Sequence, residues 1–285
     1  MLTVFTVPKG ASPHIAVIQA NAVSSWRRLG AGVVLYGDED GVADLAAATG
    51  ATHVPEIARN ELGTPLLDGI FSDVHRRSDA PVLCFANTDI ILPNAFHDAI
   101  ERISARRHPF LMIGESWDTD VQAPLDFEAE WEPELLGRRG RRRGAGAIDY
   151  FAFTHGLLRD VPPFAVGRVA FDNWLVWRAR DLGALVVDAS PSVRAIHQRH
   201  DYSHVAGGFT ATRYHSAEGQ RNLALAGGKS FLYTRFDATH LLGRRGLRPN
   251  LGRTFRAKER SRKAAYRLRR ALVRDPVGTD AGRAG

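Results

Sequence analysis

Two polar side chains that could bind a cation follow the most apolar segment of the chain. Asn87 and Asp89 come directly after Pro81–Ala86, a run typical of a buried parallel strand. On an extended segment, residues two apart face the same side, so both side chains could reach one ligand. Carboxylate and amide oxygens suit a hard divalent cation, which can bridge phosphates. The alternative is an Asx turn that ends the strand and caps the next helix.

Polar residues also follow the first two predicted strands. Leu2–Val7 leads into Pro8, and Gly32–Tyr36 leads into an acidic turn that contains Asp38. The carboxyl ends of parallel strands share one edge of a sheet, and ligands bind there. Thr6 and Pro8 would form a backbone and hydroxyl edge, and Asp38 would supply a carboxylate for a base or a ribose hydroxyl. Together, the three strand ends suit a nucleoside diphosphate.

The elements that must position these residues alternate between strand and helix. The first half has predicted strands at 2–7, 32–36, 52–54 and 81–86, and predicted helices at 14–29, 42–49, 64–77 and 95–106. Thr64 and Pro65 are expected to begin the third helix as N-cap and first residue. Further strands are predicted at 110–114, 148–153 and 184–189, the last of the chain, and a helix at 172–182. The pattern predicts an α/β fold with a mostly parallel sheet flanked by helices.

The order of these motifs resembles the GT-A-type nucleotide-sugar glycosyltransferases. The resemblance rests on Thr6–Lys9, on the turn at Asp38, and on Phe85–Leu92, where Asn87 and Asp89 stand in the place of the Asp-x-Asp motif. It covers roughly residues 1–205. It implies a GT-A-like (Rossmann-like) fold, a nucleoside diphosphate sugar donor, a hydroxyl acceptor, and Mn²⁺ or Mg²⁺ as cofactor. Asn87 departs from the family pattern, which would leave either a looser cation site or a site held mainly by Asp89.

A second carboxylate, Asp172, opens the predicted helix 172–182. The resemblance implies that this segment holds the catalytic base of inverting members. A carboxylate there could accept the proton of the attacking acceptor hydroxyl. The alternative is that Asp172 is the N-cap of its own helix, because aspartate is among the best capping residues. In that case Asp118 or Asp149 would be the next candidate for the base.

Three histidines and one aspartate lie within residues 197–204. Zinc is disfavoured, because no cysteine supports it and the third and fourth ligands are missing. The resemblance implies that His197 completes the metal or diphosphate site, with His200 and Asp201 orienting it. The alternative is a histidine cluster on the surface or satisfied in the core, and this alternative is strongest for His204.

Two tryptophans could contact an acceptor. Trp117 and Asp118 follow the predicted strand 110–114 at the same edge of the sheet, and Trp174 lies in the helix that Asp172 opens. Aromatic rings can stack on sugars, so Trp117 and Trp174 are candidates for acceptor binding, and Asp118 joins them because it is adjacent to Trp117. Burial in the core is the alternative for both tryptophans. The expected acceptor is a glycan, a lipid-linked molecule or a small molecule with a hydroxyl group.

Basic residues concentrate at the end of the chain. Residues 244–285 hold 14 basic and 3 acidic residues, a net charge of +11, whereas residues 1–243 carry −4. We expect a catalytic domain over 1–243, with a nucleotide-binding half of about 1–106 and an acceptor half of about 107–243. The basic tail, 244–285, is expected to be partly helical or disordered. Five arginines among glycines at 137–144 are expected to form a mobile loop.

Composition excludes several other classes. The single cysteine, Cys84, can form no internal disulfide, and its apolar surroundings suggest a buried, inert thiol. No apolar run approaches the roughly 20 residues that span a bilayer, and the first residues lack signal-peptide features. A cytoplasmic protein is therefore expected, with peripheral attachment at the inner membrane face as an option.

Two other functions compete with glycosyl transfer. A sugar-nucleotide nucleotidyltransferase should carry a glycine-rich phosphate loop with a basic residue after the first strand, where this chain has only Pro8, Lys9 and Gly10. A nucleic-acid-binding module would use the arginine-rich segments. Because the excess of positive over negative charge lies in those segments, no nucleic-acid partner is expected for the domain.

The tail generates the first testable prediction. Ala265, Leu268 and Leu272 are three and four residues apart and are flanked by arginines, a spacing that suits a helix lying on an anionic membrane surface. Residues 244–274 would then attach the protein to the membrane, near a lipid-linked acceptor. Each basic residue there contributes about 1 kcal/mol, and salt weakens the attraction. The full chain should therefore co-sediment with anionic vesicles at low salt, and much less at high salt or with neutral vesicles. Equal sedimentation of a tail-truncated chain would contradict the prediction.

Overall fold

A computed structural model describes residues 1–200 and 214–273, and for Lys263 and residues 266–273 it describes only the backbone. Two compact units divide the chain, Met1–Pro249 and Asn250–Gly285. The strands are β1 (Leu2–Thr6), β2 (Gly32–Tyr36), β3 (Thr52–Val54), β4 (Val82–Ala86), β5 (Ile90–Ile91), β6 (Phe110–Ile113), β7 (Ser116–Thr119), β8 (Arg141–Arg142), β9 (Tyr150–Thr154), β10 (Leu185–Asp188), β11 (Ala195–Gln198), β12 (His240–Gly243) and β13 (Gly246–Pro249).

Eight α-helices occur in the described residues. They are α1 (Pro13–Arg28), α2 (Val42–Thr49), α3 (Leu67–Arg77), α4 (Asn94–Ser104), α5 (Trp131–Gly137), α6 (Phe171–Asp181), α7 (Ala217–Leu225) and α8 (Arg253–Val273). Two short 3-10 helices span Lys229–Phe231 and Arg235–Asp237. Within the described residues, no helix is both long enough and apolar enough to cross a bilayer.

The main sheet sets the edge at which the candidate site lies. In the described part of the chain it has nine strands in the order β13-β12-β10-β6-β9-β4-β1-β2-β3. Neighbours among β1 to β4 are parallel, whereas β9 runs antiparallel to both β4 and β6. The carboxyl ends of β1, β2, β4, β6 and β10 therefore share one edge, and β9 begins at that edge. Strands from both expected halves, 1–106 and 107–243, share this sheet.

A smaller sheet lies beyond that edge. Its strands have the order β5-β11-β7-β8. β5 follows β4 and β7 follows β6 after only a few residues, so the chain passes from the large sheet directly into the small one. β11 pairs with β7 in parallel and aligns His197 with Asp118. The small sheet thus brings polar residues from distant segments to the carboxyl edge of the large one.

The core lies on both faces of the main sheet. Along β4, Val82, Cys84 and Ala86 belong to one apolar cluster, and Leu83 and Phe85 belong to the other. This alternation is the two-residue period of a strand that is buried on both faces. Helices α1 and α4 contribute to the first cluster and α3 and α6 to the second. The expected α/β class is therefore confirmed, in a mixed, mostly parallel sheet flanked by helices.

Three expectations about local structure were wrong. α3 begins at Leu67, because Pro65 and Leu66 instead form β-bridges with Arg59 and Ala165. The predicted last strand, β10, is followed by β11, β12 and β13. The arginine-rich segment is not a free loop, since β8 pairs antiparallel with β7.

The tail is helical from Arg253 to Val273, as α8. Most of its described side chains are exposed, and Arg262 pairs with Glu259 one turn away. The predicted boundary after Gly243 would separate β12 from β13, whose backbones pair over four positions. A truncation that tests the vesicle prediction should therefore end after Asn250, so that β13 is retained.

Candidate functional site

The segment after β4 turns instead of continuing as a strand. The backbone N–H of Ile90 donates a hydrogen bond to the carbonyl of Asn87, at 3.1 Å, which closes a tight turn around Asp89. The extended geometry expected for Asn87 and Asp89 was therefore wrong. Asn87 Nδ2 donates to Asp149 Oδ1, at 3.2 Å. Asp89 has a separate set of partners.

Asp89 lies among basic side chains from two other segments. Lys9 Nζ is 3.0 Å from Asp89 Oδ2, and His200 Nε2 is 2.9 Å from the same oxygen. His197 Nε2 is 3.9 Å from it. Only 7% of the Asp89 side chain is exposed. We call Lys9, Asp89, His197 and His200 the Asp89 cluster.

Electrostatics in the Asp89 cluster favour an ionised Asp89 and a neutral His197. Burial alone would raise the pKa of Asp89, but the Lys9 ammonium and the two histidines hold that pKa well below its usual range. Burial lowers the pKa of His197, even though Asp89 opposes this effect. A neutral imidazole can donate an electron pair to a metal.

The Asp89 cluster fits a divalent cation. Asp89, His197 and His200 offer ligand atoms that all lie within 4.8 Å of one another. Asp89 Oδ1 is also buried, and it has no hydrogen-bond partner among the residues that the structure describes. Two imidazole nitrogens beside one carboxylate form a mixed nitrogen and oxygen donor set, which suits a first-row transition metal.

Asp118 lies behind His197. The small sheet aligns the two residues, and His197 Nδ1 is 3.0 Å from Asp118 Oδ1. A carboxylate at the second nitrogen of a ligating histidine fixes the orientation of its ring. The structure thus places Asp118, expected to bind an acceptor, against a candidate metal ligand.

Asp149 is a further buried carboxylate at the same edge. It precedes β9 and accepts hydrogen bonds from Asn87 and from the Ser116 hydroxyl. Arg143 Nη1 lies 3.5 Å from Asp149 Oδ2, and Arg143 Nε lies 3.8 Å from Asp118. Arg143 therefore balances the charge of two carboxylates.

Asp172 lies in the first turn of α6. The N-cap position belongs to Ala170, so Asp172 does not cap the helix. Its Oδ1 is buried and has no hydrogen-bond partner in the described part of the chain. Burial raises the pKa of Asp172 to about 7, and the negative charge of Asp149 adds to this effect. A carboxyl group with this pKa can exchange a proton near neutral pH.

The two tryptophans lie in different surroundings. Trp174 is 6% exposed and packs in the core against Phe164 and Trp177, so the structure does not bring it to the site. Trp117 alternates with Asp118 along β7 and faces the opposite side, where the Arg194 guanidinium lies 4.2 Å from its ring.

The remaining predicted donor residues lie near the ends of β1 and β2. Thr6 and Pro8 are buried on the segment that leads to Lys9. Asp38 is 69% exposed and pairs with Arg59, which also contacts Glu39 at 2.9 Å. Thr6, Pro8 and Asp38 lie at the same carboxyl edge of the sheet as the Asp89 cluster, but in the described part of the chain they do not pair with its members.

The arginine-rich segment is ordered by local ion pairs. Four of its five arginines contact acidic side chains, in the pairs Arg138–Glu134, Arg141–Asp118, Arg142–Glu115 and Arg143–Asp149. Gly140 permits close approach, because a Cβ there would lie 2.9 Å from Thr119 Oγ1. This local neutralisation weakens the case for a nucleic-acid-binding surface.

Sequence reasoning missed two contributors to the site. Lys9 was noted as part of a motif but not as a partner of Asp89, and Arg143 was assigned to a mobile loop. Asp149 was named only as an alternative to Asp172 as the base. A carboxylate at the start of a strand lies at this edge only when that strand runs antiparallel, and the sequence does not show the strand direction. Asp201 and His204 lie outside the described residues.

No protein-family model and no curated protein sequence matches the chain. Among solved structures, TarS from S. aureus has a TM-score of 0.46 at 11% identity, over 70% of this chain and 36% of TarS. Glucosyl-3-phosphoglycerate synthase from Mycobacterium tuberculosis, solved with Mg²⁺ and UDP, has a TM-score of 0.44 at 13% identity, over 80% of each chain.

A putative glucose-1-phosphate thymidylyltransferase from Bacillus anthracis, solved with sucrose, has a TM-score of 0.41 at 10% identity, over 81% of this chain and 99% of that chain. The present chain thus spans about a third of the length of TarS. Because these TM-scores are below 0.5, the function of the chain is inferred from its own residues.

The raised pKa of Asp172 predicts a pH-dependent effect on stability. An unfolded aspartate titrates near 3.9, so between that pH and about 7 the folded chain holds a proton that the unfolded chain has released. This stabilising contribution is complete below about pH 4 and is lost as the pH rises through about 7. Asp172→Asn removes this pH-dependent loss of stability, because asparagine does not titrate. The variant should be more stable than the parent at pH 8 and similar at pH 4, as measured by urea denaturation.

The exposed Asp160 provides a matched control, and Asp160→Asn should leave the free energy of unfolding nearly unchanged at both pH values. An equal effect of Asp172→Asn at pH 4 and pH 8 would contradict the assigned titration.

Proposed function

We propose that this chain is a GT-A-type glycosyltransferase that transfers a sugar from a nucleoside diphosphate donor to a hydroxyl acceptor. The observation that carries the proposal is the Asp89 cluster at the carboxyl edge of a mostly parallel sheet, where Asp89, His197 and His200 offer ligand atoms within 4.8 Å of one another. A buried, unpartnered carboxylate oxygen at this edge suits a cation that binds together with phosphates.

Asp89, His197 and His200 would hold the cation, with Asp118 orienting the His197 ring. When bound, a divalent cation neutralises the charge that develops on the leaving diphosphate. The nitrogen ligands favour Mn²⁺ as the cofactor over Mg²⁺.

Residues near the ends of β1 and β2 would bind the donor. Thr6 and Pro8 border the same edge as Asp89, and Lys9 supplies an ammonium that can pair with a phosphate. The exposed carboxylate of Asp38 is available for a base or ribose hydroxyl, because 69% of its side chain is accessible. Asn87 would act indirectly, by holding Asp149 in place.

Asp172 is the proposed catalytic base. Its pKa of about 7 lets it accept the proton of the acceptor hydroxyl as that oxygen attacks the sugar. Asp149 is the alternative base, but its oxygens already accept two hydrogen bonds and lie near Arg143. The acceptor is a glycan, a lipid-linked molecule or a small molecule, and the basic helix α8 would hold the enzyme near an anionic membrane.

Removing the Asp89 carboxylate should abolish cation-dependent binding of the donor. Asp89→Asn keeps the shape of the side chain but lacks the charge that pairs with a cation. We expect binding of UDP, GDP or dTDP in the presence of Mn²⁺ to weaken at least tenfold, as measured by isothermal titration calorimetry. His197→Ala should have a smaller effect, because it removes one ligand among several.

A second acidic group on the same chain supplies the control for this measurement. His97, Asp98 and Glu101 also bring ligand atoms together, but Asp98 and Glu101 are exposed on α4. Asp98→Asn should leave Mn²⁺-dependent nucleotide binding unchanged. Parent-like binding by Asp89→Asn would refute the proposed cation site.

Replacing the proposed base should change turnover much more than binding. Asp172→Asn retains a polar side chain but cannot accept a proton, so kcat should fall about 10²-fold or more while donor affinity is maintained. In the parent, kcat should decline as the pH falls below about 7, because the base becomes protonated. If turnover and its pH profile survive in Asp172→Asn, Asp149→Asn is the next variant to test.

Product analysis separates this function from its closest rival. A glycosyltransferase releases nucleoside diphosphate from a nucleotide sugar when an acceptor is present. A nucleotidyltransferase instead releases pyrophosphate from a nucleoside triphosphate and a sugar 1-phosphate. Pyrophosphate release by the parent, with no transfer from nucleotide sugars, would assign the second activity.

A further inference from the structure

Lys9 occupies a position that a cation bound to Asp89 would also need. Its Nζ lies 3.0 Å from Asp89 Oδ2 and 3.1 Å from His200 Nε2, so it contacts two of the three candidate ligand residues. A divalent cation on the same oxygen and nitrogen would lie only a few ångströms from the ammonium. Two positive charges at that distance repel strongly in a buried site.

The backbone of Lys9 is fixed, whereas its side chain reaches partly into solvent. Gln19 on α1 accepts a hydrogen bond from the Lys9 N–H, at 2.7 Å, and donates one to the Lys9 carbonyl, at 3.0 Å. Gln19 is buried, so this pair of bonds anchors the loop after β1. The Lys9 side chain is 29% exposed and has four rotatable bonds. The ammonium can therefore move without a change in the backbone.

We propose that Lys9 competes with the divalent cation for Asp89 and is released to the donor diphosphate, so that cation and donor bind cooperatively. The inference rests on the proposed function for its donor. Lys9 would make cation binding depend on the donor more strongly than direct contact between the cation and the diphosphate does.

Charge balance accounts for this coupling. Asp89 is buried and ionised, so Lys9 can leave only when another cation replaces it. The displaced ammonium in turn needs an anionic partner, and a diphosphate at this edge of the sheet supplies one. The cation therefore replaces the charge of Lys9 at Asp89, the diphosphate pairs with the displaced ammonium, and each ligand favours binding of the other. Coupling of this kind is reciprocal, so Mn²⁺ must tighten diphosphate binding by the same factor.

The test compares Mn²⁺ affinity in the parent, Lys9→Met and Lys9→Arg, with and without UDP, by calorimetry and by electron paramagnetic resonance of Mn²⁺. Without UDP, Lys9→Met should bind Mn²⁺ about tenfold more tightly than the parent, because the competing charge is gone. Direct contact between cation and diphosphate couples the two ligands in every variant, but UDP should tighten Mn²⁺ binding about tenfold more in the parent than in Lys9→Met. Lys9→Arg keeps the charge and should resemble the parent.

Lys229→Met is the matched control, since it removes an exposed lysine of the same compact unit and should leave every affinity unchanged. If Lys9→Met fails to fold by circular dichroism, Lys9→Gln replaces it with a neutral polar side chain. Mn²⁺ affinity in the neutral variant that equals or falls below that of the parent overturns the competition.

Measurements of nucleotide binding distinguish the failure of this inference from the failure of the proposed function. If UDP, GDP and dTDP bind no variant in the presence of Mn²⁺, the proposed function fails, whereas tighter Mn²⁺ binding by Lys9→Met would still support the competition. If UDP tightens Mn²⁺ binding by the same factor in the parent and in Lys9→Met, the proposed release of Lys9 to the diphosphate is overturned.

Discussion

An ionised carboxylate can be buried only where positive charge or hydrogen-bond donors compensate for lost water. Asp89 imposes this constraint at the end of β4, where only 7% of its side chain is exposed. Its compensation comes from Lys9 after β1 and from His197 and His200 at and beyond β11. The small sheet and the anchored loop after β1 therefore position the groups that compensate for one buried charge, and the same arrangement creates the candidate cation site.

The direction of β9 supplies the other half of the site. Because β9 runs antiparallel to β4 and β6, its first residues lie at the edge where the other strands end. Asp149 consequently lies beside Asn87 and Ser116, and Arg143 balances its charge. An all-parallel sheet would have placed the start of this strand, and its carboxylate, at the opposite edge. The mixed sheet thus brings Asp149 to the same edge as Asp89.

Local sequence patterns predicted the α/β fold and the order of its early elements, since two-residue and helical periods are read over neighbouring residues. Asp89 was proposed as a site residue because it follows a strand that is visible in the sequence, whereas His197 lies on the unpredicted strand β11 and was proposed only from the family resemblance. The pairing of Asn87 with Asp149, and of Lys9 with Asp89, depends on contacts between residues 62 and 80 positions apart. Strands of two residues, such as β5 and β8, are too short for periodicity to reveal.

The sequence separations within the Asp89 cluster affect how the chain folds. His200 is 111 residues from Asp89 and 191 residues from Lys9. Closing loops of this length is entropically costly, so such contacts form after the local helices and adjacent strands. The ligand set for a cation is therefore complete only in the fully assembled domain. A cation that needs all three ligands would select that state from partly folded chains, and its binding would report on the completion of folding.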